Sequence, residues 1–174
     1  IKEKKYAFLV EGNMDVIQLV QNGIENCLAI SGTSFTNSHA KIIKRFSNDV
    51  YIMFDGDESG KKAALRCGYI LAANSIEPKI IIPPNNLDPD DWARQNGGKE
   101  ILDSIENAND LISTHYTIFS SNNTQGSLSA NEFIHECLNE LANIEDLIVR
   151  ELLIKRLSEL TSIAQESILN VLNE

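Results

Sequence analysis

The stretch Phe54-Asp55-Gly56-Asp57-Glu58-Ser59-Gly60-Lys61 decides how this sequence folds. The apolar residues before it make Val50–Phe54 typical of a fully buried strand bounded by polar turn formers. Side chains at positions i and i+2 of an extended segment point the same way, so Asp55 and Asp57 are predicted to converge. Two like charges held together are unfavourable unless a cation or a proton joins them. The stretch therefore suggests a metal site just beyond a buried strand.

Three further apolar runs, separated by segments with helical periodicity, predict the rest of a sheet. The predicted strands are Tyr6–Val10, Cys27–Ile30 and Lys79–Ile82, and the predicted helices cover about 14–21, 36–45 and 59–74. This alternation indicates parallel βαβ units and an open α/β sheet covered by helices. In such sheets the functional crevice lies beyond the carboxyl ends of the strands, where Glu11, the Gly32 turn and Asp55 are expected.

The second half of the chain has a different character. From Gly98 onward the pattern predicts only helices, at about 99–108, 111–120, 131–141, 145–160 and 164–172. The polar stretch 121–127 is typical of a linker. We therefore predict a catalytic and metal-binding α/β domain over residues 1–120 and a small all-helical subdomain over residues 121–174.

Charge is distributed unevenly along the 174 residues, whose formal net charge is −10. Residues 1–99 contain 12 basic and 12 acidic side chains, whereas residues 100–174 contain 3 basic and 13 acidic ones. The acidic second half is therefore expected to be a poor surface for nucleic acid. Three widely spaced cysteines favour reduced thiols in a cytoplasmic protein, and no apolar run is long enough to predict a membrane span.

Further carboxylates are expected at the same rim of the sheet. Glu11 lies at the end of a buried strand, where a charged side chain needs a partner. We favour a metal or catalytic role for Glu11 over a salt bridge with a basic residue. Asp15 either complements the N-terminus of the next helix or binds metal. Asp88 and Asp90 suit a helix N-cap and first turn, but they could also hold a second cation. Mg²⁺ is the expected ion because it prefers carboxylate and phosphate oxygens.

Basic residues near this rim could contact phosphates, although a solvated helix surface explains most of them as well. The candidates are Lys61, Lys62 and Arg66, which follow the acidic stretch. Ser59-Gly60-Lys61 is not a P-loop, because the first glycine is misplaced and no Ser or Thr follows the lysine. The three histidines share no ligand spacing, so no zinc site is predicted.

The motifs, in their order and context, resemble the Toprim domain of the bacterial DnaG-type DNA primase family. They are Glu11-Gly12-x-x-Asp15, Gly32-Thr33-Ser34, Asp55-Gly56-Asp57 with Gly60, and Asp88-Pro89-Asp90. The resemblance covers about residues 4–119, and the helical remainder is similar in type to the subdomain that ends the primase polymerase core. It implies catalytic roles for Glu11, Asp55 and Asp57 and a metal centre completed by Asp15, Asp88 and Asp90.

The resemblance also implies an activity and partners. The expected enzyme is a nucleotidyltransferase of the replication fork, a DNA-directed RNA polymerase that uses Mg²⁺, with Mn²⁺ as an alternative. It would make short RNA primers from NTPs on single-stranded DNA, forming an RNA–DNA hybrid. The family's zinc-binding domain, basic subdomain and helicase-binding domain are all expected to lie outside this sequence. We therefore expect a fragment that is weak or inactive in priming and that contacts the replicative helicase through an absent domain.

Three other interpretations remain open. A Toprim nuclease or topoisomerase shares the Glu and Asp-x-Asp core, although a topoisomerase would require a nucleophilic tyrosine in another domain. A phosphoacceptor receiver module also clusters acids at strand ends, but it usually has paired acids after its first strand. A non-catalytic metal- or nucleotide-binding scaffold would be favoured if the acids bind no metal.

Overall fold

The computed structural model describes residues 5–32, 34–122 and 130–173, which form two compact units. The first unit ends at Leu111 and the second begins at Ile112. The linker-like stretch 121–127, where we place the domain boundary, lies outside the described residues from residue 123 on. The division into domains 1–120 and 121–174 therefore stays a prediction.

The first unit alternates strands and helices, as the sequence predicts. Its strands are β1 (Tyr6–Val10), β2 (Cys27–Ala29), β3 (Asp49–Ile52), β4 (Glu77–Ile80) and β5 (Asn109–Asp110). Its helices are α1 (Asn13–Gln21), α2 (Asn37–Lys44), α3 (Glu58–Ala73), α4 (Pro89–Asn96) and α5 (Gly98–Asp103), with 3₁₀ turns at Pro84–Asn86 and Ser104–Asn107. The strands lie in the order β2-β1-β3-β4-β5, parallel except for β5. This confirms the predicted open α/β sheet.

Strand β5 was not predicted, and β4 begins and ends two residues earlier than expected. Two residues are too few for a periodic signal, so β5 could not be recognised from the pattern of the chain. Proline usually argues against a strand, yet Pro78 lies inside β4 opposite Val50. It is tolerated there because β5 pairs only with Lys79 and Ile80, which leaves the sheet open beside Pro78.

Strands β1 and β3 are buried except at their first residues, which explains why they form continuous apolar runs in the sequence. On one face Phe8 and Met53 pack in a cluster with Leu19 of α1 and Trp92 of α4. On the other face α3 approaches closely at Gly68, where a Cβ would lie 3.7 Å from the δ-carbon of Ile52. Helices on both faces hold the sheet in place and leave the carboxyl ends of its strands as the functional rim.

The second unit is helical, in agreement with the sequence. Its helices are α6 (Leu111–Asn122), α7 (Ala130–Leu141), α8 (Leu147–Thr161) and α9 (Gln165–Asn173), with the first residue of α6 belonging to the first unit. The fully buried Phe133 packs against the rings of His115, Tyr116 and Phe119. None of the described helices is both long enough and apolar enough to cross a membrane.

Gly60 allows the start of α3 to approach the end of β3, and its replacement tests that contact. A Cβ at Gly60 would lie 2.8 Å from the Cβ of Asp55 and would clash with the Asp55 carbonyl oxygen. We expect Gly60→Ala to lower the free energy of unfolding by about 1–3 kcal/mol through overpacking. Helix propensity alone predicts the opposite sign, since alanine is favoured over glycine by about 1 kcal/mol.

Urea unfolding followed by the fluorescence of Trp92 measures this effect, because Trp92 is the single tryptophan and is buried in the first unit. Ser59→Ala, at the exposed neighbouring position, is the matched control and should change the unfolding free energy by less than about 0.5 kcal/mol. A Gly60→Ala protein as stable as the wild type would contradict the close contact.

Candidate metal centre

The parallel register of β1 and β3 brings their carboxyl ends to the same place. Leu9 pairs with Ile52, and the backbone N–H of Met53 donates to the Leu9 carbonyl over 2.9 Å. Directly beyond these residues, the backbone N–H of Asp55 donates to Oε1 of Glu11 over 3.4 Å. The sheet itself therefore brings together the two acids that the sequence places after separate strands.

Asp55 lies at the centre of a larger group of carboxylates. Its pKa is raised from 3.8 to about 6, first by burial and then by the negative charges of Glu11, Asp15, Asp88 and Asp57, in that order. Such coupling requires the five side chains to lie close together in a partly desolvated place. The predicted convergence of these acids is therefore a property of the fold, whereas a role in metal binding stays a prediction.

Glu11 and Asp15 are also protonated more readily than free carboxyls. Burial raises the pKa of Glu11, with smaller upward contributions from the charges of Asp15 and Asp57, against the opposing hydrogen bond from the Asp55 N–H. Burial also raises the pKa of Asp15, which is only 7% exposed. Repulsion within the group is thus shared among several carboxylates, and a cation would relieve it.

Asp15 joins the beginnings of two helices. Its Oδ2 accepts the backbone N–H of Gly12, the N-cap of α1, over 2.9 Å. Burial and, to a smaller extent, the charges of Asp88 and Asp90 at the start of α4 raise the pKa of this carboxylate. The capping interpretation of Asp15 therefore describes a real contact, and it also places this side chain inside the acidic group.

Two of the candidate ligands are helix N-caps. Oδ1 of Asp57 accepts the N–H of Gly60 over 2.7 Å at the start of α3. Oδ1 of Asp88 accepts the N–H of Asp91 over 2.6 Å at the start of α4, as the sequence predicts for this residue. The capping role of Asp57 was not predicted. Each cap uses one oxygen of the carboxylate and fixes the direction of the other.

The tightest group of three carboxylates in the described part of the chain is formed by Asp88, Asp90 and Asp91. One oxygen of each lies within 4.8 Å of the other two. One guanidinium nitrogen of Arg94, Nη2, also donates to both carboxylate oxygens of Asp90, at 2.9 and 3.0 Å. Asp91 was not among the predicted ligands, although its place in the acidic run Asp88–Asp91 was a signal. Glu11, Asp55 and Asp57 do not meet this three-way distance limit within the described residues.

The three candidate phosphate-contacting residues lie in different surroundings. Nζ of Lys61 pairs with Glu58 over 3.1 Å, and Lys62 is exposed. Arg66 and Glu11 both line a cleft of about 330 Å³, the Glu11–Arg66 cleft. Its described lining is Glu11, Ile30, Gly32, Ser34, Phe35, Phe54, Ala63, Arg66 and Cys67. No motif in the sequence indicates this cleft.

Two residues of the Gly32-Thr33-Ser34 motif, Gly32 and Ser34, lie at the same rim. Gly32 has φ of +74°, a conformation that favours glycine, and both Gly32 and Ser34 line the Glu11–Arg66 cleft. Thr33 lies outside the described residues. The donor set at this rim is composed of carboxylate oxygens, which fits a hard divalent cation such as Mg²⁺ or Mn²⁺.

Comparison with known protein families agrees with this geometry. A family described as Toprim-like matches residues 8–93, which include all the candidate ligands. A second family, described as the DnaB-helicase binding domain of primase, matches residues 130–166. We expected a helicase-binding domain to be absent from this sequence, and the second match corrects that expectation. The helical pattern alone did not distinguish such a domain from the end of a polymerase core.

The individual relatives that this chain resembles are named DNA primase. The DNA primases of Clostridium acetobutylicum and Listeria monocytogenes are each 33% identical to this chain, over 166 and 163 residues. These alignments cover 95% and 91% of this chain but only 28% and 26% of the relatives.

Solved structures resemble the whole described chain. A DNA primase domain from Pseudomonas aeruginosa matches with a TM-score of 0.82 and 27% identity, over 98% of this chain and 55% of that one. The Aquifex aeolicus primase, solved as its zinc-binding and RNA polymerase domains, matches with a TM-score of 0.78 and 29% identity, over 97% and 40%. The chain therefore belongs to the bacterial DnaG-type DNA primase family, of which it carries the Toprim-like domain and the helical part that follows.

Proposed function

We propose that this chain supplies the metal-binding part of a primase, which synthesises short RNA primers on single-stranded DNA from NTPs. The observation that carries the proposal is the hydrogen bond from the Asp55 N–H to Glu11 at the carboxyl ends of β1 and β3, with Asp15, Asp88 and Asp57 near enough for their charges to act on Asp55. Oxygen ligands gathered at one place are what nucleotide-transferring enzymes use to hold cations against phosphates. The primase relatives support this activity over a topoisomerase or a nuclease.

The carboxylates act in this proposal as a platform for Mg²⁺, with Mn²⁺ as an alternative. Bound divalent cations neutralise phosphate charge and stabilise the attacking and leaving oxygens in such reactions. Glu11, Asp55 and Asp57 hold the principal position. Asp15 orients the acidic group through its hydrogen bond to the start of α1 and its position beside the start of α4, while Asp88 and Asp90 serve a second position. Lys61, Lys62 and Arg66 are the candidate phosphate contacts.

The proposal extends to place and partners. Template, NTPs and the RNA–DNA hybrid would meet at the acidic rim, in the cytoplasm at the replication fork. The second unit would contact the replicative helicase, since residues 130–166 match the helicase-binding family. Its helix α8 exposes three large apolar side chains, Leu147, Ile148 and Leu152, at 61%, 73% and 62%. Exposed apolar side chains on one helix are typical of an interaction surface.

Substitution of Asp55 tests the metal centre. We expect Asp55→Asn to weaken Mn²⁺ binding at pH 7 by at least about tenfold, since even the partners of metal ligands contribute 10- to 100-fold. Wild-type affinity should fall as the pH is lowered through about 6, where Asp55 takes up a proton. Electron paramagnetic resonance of free Mn²⁺ measures both effects. Asp103→Asn, on the exposed side of α5, is the control and should bind as the wild type.

The same variant separates metal binding from folding. A carboxyl with a raised pKa takes up its proton at a higher pH in the folded protein than in the unfolded one. Without metal, Asp55 therefore lowers stability as the pH rises from about 4 through 6. Asp55→Asn should raise the metal-free melting temperature at pH 7 and leave it nearly unchanged at pH 4. A variant that loses Mn²⁺ binding and is also less stable at pH 7 would contradict this account.

Primer synthesis tests the activity itself. A chimaera that carries this chain in place of the matching segment of the Clostridium acetobutylicum primase should make RNA primers on single-stranded DNA with Mg²⁺ and NTPs. The product should disappear with Asp55→Asn and persist with Asp103→Asn. Equal synthesis by both variants, or none by a chimaera that unfolds cooperatively, would count against the proposal.

The helicase contact has a test of its own. Ile148→Glu places a charge at the centre of the exposed apolar side chains of α8, and we expect it to weaken binding of the DnaB-type helicase by about tenfold or more. His135→Glu on α7 adds the same charge at another exposed position and should have little effect. Surface plasmon resonance with the whole chain measures both. Equal affinities for Ile148→Glu and the wild type would exclude this face of α8.

A further inference from the structure

Strand β2 lies at one end of the sheet, where it pairs with β1 on one side only. The Asn26 carbonyl points toward β1, since it accepts the Phe8 N–H over 2.9 Å. Backbone groups of consecutive strand residues point to opposite sides, so those of Cys27 and Ala29 point away from β1. Within the described residues these outward groups have no hydrogen-bond partner. Strand β2 therefore presents an open edge to which another extended chain can pair.

The two edges of the sheet differ in how they are protected. At the far edge, β5 is only two residues long and contains Asp110, and Pro78 lies in β4 beside it. Charged residues and prolines are common means of preventing unwanted pairing at a sheet edge. The sequence of β2, Cys27-Leu28-Ala29, contains neither. Of the two edges, that of β2 is the one suited to accept a further strand.

An apolar groove of about 150 Å³ lies beside this edge, between the sheet and α2, and we name it the β2–α2 groove. Leu9 and Leu28, which pair across β1 and β2, line it on the sheet side, and Ile42 and Ile43 line it from α2. Its described lining is apolar except for His39. An apolar space of about 150 Å³ can hold a group of the size of benzene. One leucine or phenylalanine side chain of an added strand would therefore fit into it.

Helix α2 adds exposed apolar surface and positive charge to the same place. Ile42 lines the groove and is 54% exposed, and Arg45 is its i+3 neighbour on the helix surface. Lys41 and Arg45 are exposed and form no ion pair with the residues that the structure describes. Helix α2 itself contains no acidic residue. A segment that covers Ile42 therefore gains from negative charges of its own.

Charge and backbone geometry decide which kind of partner suits this surface. A second copy of the chain would present the same patch, so Lys41 and Arg45 of the two copies would repel each other. A nucleic acid would gain from these charges, but it would leave the open strand edge and the apolar groove unused. An extended acidic peptide uses the edge, the groove and the charges together.

We propose that the β2–α2 groove binds an extended acidic segment of a partner protein, which adds to β2 as a further strand. The partner's backbone forms hydrogen bonds with the outward groups of Cys27 and Ala29. One of its apolar side chains enters the groove, and its carboxylates lie near Lys41 and Arg45. The described lining of the groove contains no carboxylate, so this site is separate from the acidic group and does not rest on the proposed function.

Selection of random heptapeptides displayed on phage, with the whole chain as the target, provides the first test. Enriched peptides should contain two apolar residues at alternating positions beside Asp or Glu, because alternate residues of a strand point to the same face. The most enriched peptide then serves as a fluorescent probe whose affinity is measured by anisotropy. A second probe is the same peptide with lysine in place of each acidic residue.

Two variants test the strand edge and the charges separately. Ala29→Pro removes an N–H that points away from β1, and proline is tolerated at such edge positions. It should weaken binding of the acidic peptide by about three- to tenfold, the scale of one backbone hydrogen bond. Lys41→Glu should weaken the acidic peptide by about threefold and strengthen the lysine peptide by about as much. Lys99→Glu, the same change at an exposed position of α5, is the matched control and should alter neither affinity.

Several outcomes would overturn the inference. A selection that enriches no acidic apolar peptides, or binding that survives Ala29→Pro, would exclude strand addition at β2. Equal effects of Lys41→Glu and Lys99→Glu would show only a general response to charge. A wild-type dimer in sedimentation that Ala29→Pro dissociates would make the edge an interface between copies. Binding of a thymidine oligonucleotide lost only with Lys41→Glu would make α2 a nucleic-acid surface. Because Lys41 is exposed, its variant keeps the test valid even if Ala29→Pro does not fold.

Discussion

The parallel pairing of β1 and β3 is the constraint on which the candidate site depends. Its register sets the Asp55 N–H against the carboxylate of Glu11, although 44 residues separate them in sequence. The start of α3 can follow directly only because Gly60 has no Cβ to meet the Asp55 carbonyl. Gly56 is similarly restricted, since a Cβ there would lie 2.7 Å from the Pro83 carbonyl oxygen. Backbone geometry thus determines where the charges lie.

Placing these negative charges together is energetically unfavourable, as the raised pKa values of Glu11, Asp15 and Asp55 indicate. The N-termini of nearby helices offset part of this unfavourable energy. Helices α1, α3 and α4 all begin within the acidic group, and each N-terminus stabilises a nearby negative charge by about 0.3–1 kcal/mol. The remaining repulsion is the source of the cation affinity that we propose for this site, because a bound divalent ion would remove the repulsion without changing the backbone.

The sequence predicted the parts of the molecule that are repetitive or strongly apolar. The alternation of strands and helices, the helical second half and the rim position of Glu11 and Asp55 all follow from periodicity and from residues that end buried strands. Contacts between residues distant in sequence could not be predicted in this way. The position of Asp15 beside the start of α4 and the cleft between Glu11 and Arg66 depend on how the helices pack against the sheet. The two-residue strand β5 is too short for any periodic signal.

The distribution of charge explains why the proposed function depends on cations. Residues 100–174 contain 13 acidic and 3 basic side chains, and the rim of the first unit is itself acidic. A nucleic acid or a nucleotide approaching either surface without cations meets repulsion at close range. In the proposed function, divalent ions at the rim would reverse the sign of the local field, and the exposed Arg66 would add a positive charge beside them. Cations at the rim are then the means by which an acidic protein of this kind would bind a polyanionic ligand.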